Sequence, residues 1–237
     1  MQKITFITGA AGGLGSALTD LLKADGRVVG SLDLNPNPAA DASACVDVSD
    51  PEALGEEYAK LADELGTPDA MVCLAGRVQD GVVAGIKPGG LSMYPIDQWR
   101  TTLDVNLTGT FNAIQCFAKS MIMGRRKGAI VTVSSPAAVG APGQAAYAAS
   151  KAGVEALTRS AAIELAPYGI RVCGFRPPIT KTPMADLYPG EIMDNLKSRS
   201  NLGRFATTEE VSEAIKFLID SPLASGKTYP LDGGLDL

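Results

Sequence analysis

The sequence predicts an α/β fold in which a mostly parallel, doubly wound sheet of about seven strands is flanked by helices. Short runs rich in β-branched residues alternate along the chain with longer segments of helical periodicity. Parallel strands joined through helices require right-handed crossovers, so this alternation favours one sheet covered on both faces. The 237 residues suit a single domain, which we expect to span residues 1–237.

Seven segments have the composition of strands, and five longer segments have helical periodicity. The strands are predicted over residues 3–8, 27–33, 44–46, 70–74, 129–134, 171–175 and 228–231. The helices are predicted over residues 14–24, 52–65, 99–123, 147–166 and 209–219. Asp50 followed by Pro51 is typical of a helix start, because aspartate caps free N–H groups and proline suits the first helical position.

Two segments, residues 77–97 and 177–199, fit neither pattern. Irregular segments of this length in a compact domain are often functional lids, so both are candidate lids over a binding site. The second segment carries apolar residues at roughly helical spacing, which either close over an apolar pocket or pack against the body or a second subunit. These residues are Met184, Leu187, Tyr188, Ile192, Met193 and Leu196.

The composition excludes several classes of function. The net charge is −5, with no basic run and no interleaving of aromatic and basic residues, so nucleic acid and anionic membrane are not expected partners. No stretch approaches the roughly 18 apolar residues of a membrane span, and Met1 leads into an apolar strand without a targeting segment, so we expect a cytoplasmic protein. The isolated cysteines are expected to be buried thiols without disulfide or metal roles. They are Cys45, Cys73, Cys116 and Cys173.

A glycine-rich turn, Thr8 to Gly15, links the first predicted strand to the first helix. Glycines let the backbone approach a pyrophosphate, and the helix N-terminus supplies free N–H groups and a favourable dipole. The spacing departs from the usual dinucleotide fingerprint, since Leu18 stands where the third glycine is expected. Asp33 ends the second strand, where an acidic residue accepts hydrogen bonds from an adenosine ribose. A carboxylate repels a 2′-phosphate, and Leu34 and Asn35 offer no compensating cation, so NAD is favoured over NADP.

Tyr147 and Lys151 form the most informative pair, because the chain contains no histidine. Any proton transfer near neutral pH must therefore use another group. Positions i and i+4 of a helix lie on one face, so the ammonium and the phenol can reach the same small volume. A positive charge at that distance lowers the pKa of a phenol, which makes Tyr147 a candidate general acid/base.

Taken together and in chain order, these motifs resemble the short-chain dehydrogenase/reductase family over essentially the whole chain. The matching segments are Thr8 to Gly15, Asp47-Val48, Ala75-Gly76, Asp104-Val105-Asn106, Val133-Ser134-Ser135, Tyr147 to Lys151, Arg171-Val172, Thr182 and Leu231 to Gly234. The resemblance implies a Rossmann-type domain, oxidoreductase activity and a homo-oligomer, a tetramer or dimer, assembled through the helices predicted over residues 99–123 and 147–166.

The resemblance also assigns roles to residues. Tyr147 is the implied acid/base, Lys151 the group that binds the nicotinamide ribose and lowers the pKa of Tyr147, and Asn106 the holder of a water in a proton relay. Cofactor contacts are implied for Gly9, Gly12, Gly13, Leu14, Gly15, Asp33, Asp47, Val48, Ala75, Gly76, Tyr147, Lys151, Ile179 and Thr182. No metal is implied.

The serine that hydrogen-bonds the substrate oxygen is defined to within one residue. Counting from the strand start at Gly128 gives Ser135, whereas counting the family's common spacing back from Tyr147 gives Ser134. Strand register fixes the direction of a side chain and loops tolerate deletions, so Ser135 is preferred and Ser134 is the alternative.

Three residues depart from the family pattern. Leu74 replaces an asparagine that normally ties neighbouring strands, and Cys173 replaces an asparagine in the strand after the catalytic helix. Pro178 stands where glycine normally follows proline, which predicts a stiffer or differently shaped loop over the nicotinamide, because proline fixes φ and lacks an N–H.

The resemblance and the cofactor motifs favour an NAD(H)-dependent oxidoreductase that interconverts a secondary alcohol and a ketone, on a hydrophobic small molecule if the apolar residues form a lid. The alternative is a 3-hydroxyacyl thioester dehydrogenase of the acyl-CoA type, for which the nearby cations are Lys87, Arg100, Lys197 and Arg199. A non-enzymatic alternative is a catalytically silent NAD-binding sensor.

Overall fold

The computed structural model describes residues 2–180 and 190–234. Its strands, in chain order, are β1 (Ile4–Thr8), β2 (Val28–Asp33), β3 (Ala42–Cys45), β4 (Ala70–Cys73), β5 (Ala84–Lys87), β6 (Gly90–Met93), β7 (Gly128–Val133), β8 (Ile170–Arg176) and β9 (Thr228–Pro230). Seven of them form one sheet in the order β3-β2-β1-β4-β7-β8-β9, and every pair in it is parallel. The predicted doubly wound sheet is therefore confirmed, with each predicted strand overlapping an observed one.

Helices cover both faces of this sheet. In chain order they are α1 (Gly13–Ala24), α2 (Pro51–Leu65), α3 (Ile96–Leu103), α4 (Gly109–Met123), α5 (Ala145–Leu165), α6 (Gly190–Ser198) and α7 (Thr208–Asp220). Two apolar clusters lie on opposite faces of the sheet, one including residues of α1 and α7 and the other including residues of α2, α4 and α5. Neighbouring strand residues serve opposite clusters, since Phe6 belongs to one and Ile7 to the other.

Local sequence explains how several helices begin. The Asp50 carboxylate accepts hydrogen bonds from the N–H groups of Glu52 and Ala53 at 3.1 and 3.0 Å, which confirms the predicted start of α2. Helix α7 begins with a capping box between Thr207 and Glu210. The predicted helix over residues 99–123 is interrupted, because a π-helical turn, Asp104–Thr108, separates α3 from α4.

The order of the strands positions a cleft at the carboxyl edge of the sheet. From β1 the chain moves outward to β2 and β3, and it then returns to the other side of β1 to build β4, β7, β8 and β9. Ligands bind where such a reversal leaves a crevice between neighbouring strands. The carboxyl ends of β1 and β4 flank that crevice here.

The segment 77–97 contains regular structure that the sequence pattern did not predict. Strands β5 and β6 form an antiparallel hairpin in which Ile86 pairs with Leu91, and Pro88 and Gly89 form its two-residue turn. Gly89 has a φ of 104°, which suits the third position of a turn with proline at the second. Ile86 and Leu91 are 82% and 69% exposed, so the hairpin adds little to the core.

The cysteines confirm one part of the prediction and correct another. Cys73 and Cys173 are buried in the sheet, and Cys116 is partly buried. Cys45 is exposed, contrary to prediction, because it ends β3 at the edge of the sheet. Within the described ranges, no group of three or more acidic or cysteine side chains is placed to hold a metal ion. None of the helices in those ranges has the length and apolarity to cross a membrane.

Candidate active site

A cleft of about 1520 Å³ opens along the carboxyl ends of the central strands. It exceeds the roughly 300–1,000 Å³ typical of small-molecule pockets, as a dinucleotide and a second ligand together require. With two exceptions, the residues predicted from sequence to bind cofactor or to act in catalysis line this cleft. Thr182 lies outside the described residues, and Asn106 lies behind the wall of the cleft.

The glycine turn forms one end of the cleft. Gly9 has a φ of 72°, and a Cβ added at Gly15 would lie 2.1 Å from the carbonyl oxygen of Gly9, so a side chain at either position would distort the turn. Gly12 is the N-cap of α1 and has no side chain to cap it. The first N–H groups of α1 are therefore available to an anionic group, as the sequence predicts.

Asp33 closes this end of the cleft beside the turn. Its carboxylate accepts hydrogen bonds from the N–H groups of Ala11 and Asn35, both at 3.0 Å, and so joins the glycine turn to the end of β2. Neither residues 9–15 nor residues 33–37 contain lysine or arginine.

Tyr147 and Ser135 meet at the opposite end. Both side chains line the cleft, and the Ser135 hydroxyl accepts a hydrogen bond from the N–H of Ala137 at 3.2 Å. Ser134 points the other way, is 2% exposed, and donates to a Glu155 carboxylate oxygen at 2.7 Å. Successive side chains at a strand end alternate in direction, and the geometry favours Ser135 over Ser134 as the serine facing a substrate.

Lys151 lies one helical turn after Tyr147 and is almost completely buried. Its ammonium donates to the carbonyl oxygen of Val133 at 2.8 Å and lies 5.7 Å from the centre of the Tyr147 ring. Burial lowers the pKa of Lys151 to about 8, so the group remains mostly charged at neutral pH. A Cβ added at Gly76 would lie 3.6 Å from the ammonium nitrogen, which shows how closely the two cleft walls approach.

The pKa of Tyr147 moves in the direction opposite to the one expected from the lysine's charge. Burial, which disfavours the phenolate, raises it, and the negative charge of Asp80 acts in the same direction. The hydrogen bond from Ser135 opposes both effects without overcoming them. With its pKa raised in this way, Tyr147 is a protonated phenol at neutral pH, with a hydroxyl proton to donate.

Asn106 supports the site from the π-helical turn. Its side-chain oxygen accepts from the N–H of Arg77 at 2.8 Å, and its amide group donates to the Arg77 carbonyl oxygen at 2.9 Å and to the Ser150 hydroxyl at 3.0 Å. Both amide hydrogens are thus used within the protein. The side chain therefore links the segment after β4 to α5 through hydrogen bonds. The predicted role of Asn106 in a water relay would have to use its main-chain carbonyl instead.

Sequence reasoning missed the polar residues around the substrate end. Asp80 lines the cleft and accepts a hydrogen bond from the Gln144 side chain at 3.1 Å, while the N–H of Gly81 donates to the carbonyl oxygen of Gly143 at 2.7 Å. These contacts join the segment after β4 to the loop before α5. Their only signal in the sequence was that Asp80 lies in one of the two segments without periodicity.

The three departures from the family pattern lie in well-defined local surroundings. Leu74 packs against the apolar cluster, and the strand tie is made by Thr8, whose hydroxyl accepts from the N–H of Ala75 at 3.3 Å. Cys173 is fully buried, and burial raises the pKa of its thiol to about 11. The carbonyl oxygen of Pro178 accepts from the Thr180 hydroxyl at 3.0 Å, so the chain after β8 is locally braced.

The second candidate lid falls partly within the described residues. Helix α6 contributes Met193 and Leu196 to the cleft lining, together with Arg199 just beyond it. Met184, Leu187 and Tyr188 lie outside the described residues.

Comparisons with known proteins agree on one family. The sequence family described as enoyl-(acyl carrier protein) reductase matches residues 9–236. A 3-oxoacyl-[acyl-carrier-protein] reductase of Thermotoga maritima is 35% identical over 98% of this chain and 97% of its own length. A 2,3-dihydro-2,3-dihydroxybenzoate dehydrogenase of Bacillus subtilis is 33% identical over 99% of this chain and 96% of its own. The crystal structure of a 3-oxoacyl-[acyl-carrier protein] reductase from Brucella melitensis superposes with a TM-score of 0.85 at 31% identity, covering 99% of this chain and 91% of that one.

Proposed function

The chain belongs to the short-chain dehydrogenase/reductase family, whose oxidoreductases act on CH–OH groups, and we propose that it interconverts a secondary alcohol and a ketone with NAD(H). The observation that carries the proposal is that Ser135 and Tyr147 line the same cleft beside the buried Lys151, and that this cleft ends at Asp33. These residues supply an acid/base, an oxygen-polarising donor and a nucleotide site in one continuous space.

The residues present fit a nicotinamide dinucleotide without a 2′-phosphate. The glycine turn and the N-terminus of α1 would hold the pyrophosphate, and the Asp33 carboxylate would accept hydrogen bonds from the adenosine ribose. Asp47, Val48, Ala75, Gly76 and Ile179 line the space between this end and Tyr147. When bound, the nicotinamide supplies hydride exchange at the substrate carbon.

The protein's own residues move the proton. In ketone reduction, the Tyr147 hydroxyl donates its proton to the carbonyl oxygen, while the Ser135 hydroxyl hydrogen-bonds that oxygen as negative charge develops on it. The Lys151 ammonium stabilises the resulting phenolate. In alcohol oxidation the proton travels the opposite way, and the raised pKa of Tyr147 makes high pH favour that direction.

The cleft lining supports an apolar substrate. Met193 and Leu196 from α6 and Pro136 and Ala137 after β7 line the cleft. Apolar walls with a few convergent polar groups are typical of sites for hydrophobic small molecules. In this proposal, the segments 77–97 and 177–199 are the substrate lids of a single domain spanning residues 1–237.

A 3-hydroxyacyl thioester is the second candidate substrate, and the name of the Thermotoga maritima relative favours it. The cations considered for a phosphorylated carrier are only partly suited to it. Arg199 lines the cleft, whereas Lys197 is paired with Asp194 at 3.0 Å. A cluster of free basic residues, which a phosphate group favours, is not formed by the described side chains at this mouth of the cleft.

The experiment presents purified protein with NAD or NADP and a panel of apolar secondary alcohols and 3-hydroxyacyl thioesters, and it follows reduced cofactor by absorbance. We expect turnover of apolar alcohols with NAD and a loss of about a thousandfold or more in Tyr147→Phe, which lacks the transferable proton. Tyr168→Phe, at a surface tyrosine that is 52% exposed, is the matched control and should retain full activity.

Three outcomes separate the candidates. Preference for the thioesters would replace the alcohol proposal with the second one. Saturable NADH binding without turnover of any substrate would support the NAD-binding sensor instead. Activity that survives Tyr147→Phe would overturn the mechanism.

We also propose a cytosolic homo-oligomer, a tetramer or dimer, that uses α4 and α5. Phe111 on α4 and Ile163 on α5 are 43% and 70% exposed, which leaves apolar side chains for a partner to cover. Sedimentation of wild type and of Ile163→Lys tests the assembly, and an unchanged mass would exclude Ile163 from the interface.

A further inference from the structure

Three residues of α5 hold three consecutive residues at the end of β7. Tyr147 lines the cleft together with Ser135, and Lys151 donates to the carbonyl oxygen of Val133 at 2.8 Å. One turn further along, the Glu155 carboxylate accepts from the Ser134 hydroxyl. Residues at four-residue spacing lie on one helix face, so a single face of α5 packs against this strand end and forms hydrogen bonds with it.

Glu155 also reaches the next strand. Arg176, the last residue of β8, donates to Glu155 through its Nε at 3.0 Å and through one terminal nitrogen at 2.8 and 2.9 Å. Both side chains are about one-quarter exposed, 25% for Arg176 and 24% for Glu155, so the pair is more shielded than a surface ion pair. Its two-point geometry fixes orientation as well as distance.

The residues next to this cluster face the cleft. Ser134 precedes Ser135, and Arg176 precedes Pro177 and Pro178, all of which line the cleft except Arg176. The main chain joins the same two strands, since the N–H of Ser134 donates to the carbonyl oxygen of Phe175 at 2.8 Å. A change at Glu155 therefore acts on both walls of the site without touching a ligand.

We propose that Glu155, together with Ser134 and Arg176, is a positioning cluster that holds the Ser135 hydroxyl and the segment after β8 in register with Tyr147 and Lys151. The proposal rests on the alcohol dehydrogenase function proposed above. It gives Ser134 a role different from the catalytic one considered from the sequence. Catalysis depends on the placement of reacting groups to within about 1 Å, so loosening this cluster lowers the rate of the chemical step.

Glu155→Ala and Glu155→Gln test the proposal. We expect Glu155→Ala to lower kcat by roughly tenfold to a hundredfold, because misplacement by about 1 Å has effects of that order. The KM for NAD should change little, since Asp33 and the glycine turn are untouched. Glu155→Gln keeps an acceptor for Ser134 and for one Arg176 N–H, and it should recover most of kcat.

Arg126→Met is the matched control. It removes a similar ion pair, Arg126 with Asp69 at 2.9 Å, which joins the segments that enter β4 and β7 at the opposite edge of the sheet. This variant should lose stability without losing kcat when both are measured below the unfolding transition. An equal loss of kcat in Arg126→Met and Glu155→Ala would show a merely structural effect and overturn the proposal.

Amide hydrogen exchange provides a readout that needs no substrate. The N–H of Ser134 should exchange faster in Glu155→Ala than in wild type, and at the wild-type rate in Arg126→Met. Unchanged exchange in Glu155→Ala, or a Glu155→Gln variant as slow in turnover as Glu155→Ala, would overturn the positioning cluster. Absence of turnover in the wild-type protein would instead overturn the proposed function, while the exchange measurement would still decide the cluster.

Discussion

The two ends of the cleft differ in whether main-chain or side-chain groups face a ligand. Near Asp33 the glycine turn offers a ligand mostly main chain, because neither Gly9 nor Gly15 has room for a side chain. Near Tyr147 the surface is made by side chains from α5, the end of β7 and the segment after β4. The first end is sensitive to added atoms, whereas the second is sensitive to the removal or neutralisation of a group.

The two ends also differ in how the protein sets the position and the protonation of its charged groups. At the Asp33 end, main-chain N–H groups hold a carboxylate in place. At the Tyr147 end, burial raises the pKa of the phenol and lowers that of the ammonium. Variants at the first end should therefore change nucleotide binding, and variants at the second should change pH dependence and turnover.

Gly15→Ala should give the largest effect at the nucleotide end. The added Cβ would lie 2.1 Å from a carbonyl oxygen, so the turn must shift, and we expect NADH affinity to fall by roughly a hundredfold, or about 2.7 kcal/mol. Fluorescence titration measures it. Gly55→Ala in α2 is the control, because a Cβ there meets nothing within 4 Å, and it should raise helix stability by about 0.5–1 kcal/mol. Wild-type affinity in Gly15→Ala would show that the turn does not contact the cofactor.

Asp33→Asn combined with Leu34→Arg should exchange the cofactor preference. Removal of the negative charge and addition of a cation beside it favour a 2′-phosphate, and Leu34 is 68% exposed, so an arginine fits there. We expect the NADP to NAD ratio of kcat/KM to rise by roughly tenfold to a hundredfold, as for one or two charge-assisted contacts. A preference for NADP in the wild-type protein would refute the assignment to Asp33.

Lys151→Met should remove activity and increase stability. The pKa of Lys151 falls from 10.5 to about 8 on burial, which costs about 3 kcal/mol at neutral pH at 1.36 kcal/mol per unit. The variant also loses the hydrogen bond to Val133, which destabilises it by about 1–2 kcal/mol. The free energy of unfolding, measured in urea, should therefore rise by a net amount of about 1–2 kcal/mol.

The sign of the pH dependence gives a second check on Lys151. Between pH 8 and 10.5 the unfolded chain binds more protons at this residue than the folded one, so wild-type stability rises with pH relative to Lys151→Met. The advantage of the variant should therefore shrink across this window. A stability difference between the two proteins that stays constant from about pH 8 to 10.5 would mean that the buried ammonium does not cause it.

Asp80→Asn should have the smallest effect on activity. It tests the electrostatics of the substrate end without removing a group that takes part in the chemical step. The Asp80 charge raises the pKa of Tyr147, so its loss should move the rise of alcohol oxidation with pH to lower pH. Asp63→Asn, an exposed change on α2, should leave the profile in place. A shift to higher pH in Asp80→Asn would contradict the proposed electrostatics.

The same contrast explains how much the sequence predicted. The sheet, the glycine turn and Asp33 depend on local patterns, such as β-branched runs and a strand-turn-helix context, and the structure places them as expected. The pairing of Tyr147 with Lys151 follows from helical spacing alone. These features require no knowledge of which distant segments meet.

The rest depends on tertiary contacts. The choice between Ser134 and Ser135 needs the position of Glu155, and the pKa of Tyr147 needs the burial around it. The hairpin β5–β6 was missed because each strand has only four residues, too few for their alternation of apolar residues to stand out among the glycines around Pro88.

The π-helical turn Asp104–Thr108 accommodates one residue more than an α-helical turn would. Each residue rotates a helix by about 100°, so the extra one offsets the faces of α3 and α4, and α3 packs on α5 while α4 packs on α2. The contribution of this turn is therefore the number of residues between α3 and α4. Single substitutions do not change that number, so they cannot reveal its effect. Deletion of one residue would leave two intact helices whose faces no longer match, with Asn106 turned away from the main chain of Arg77.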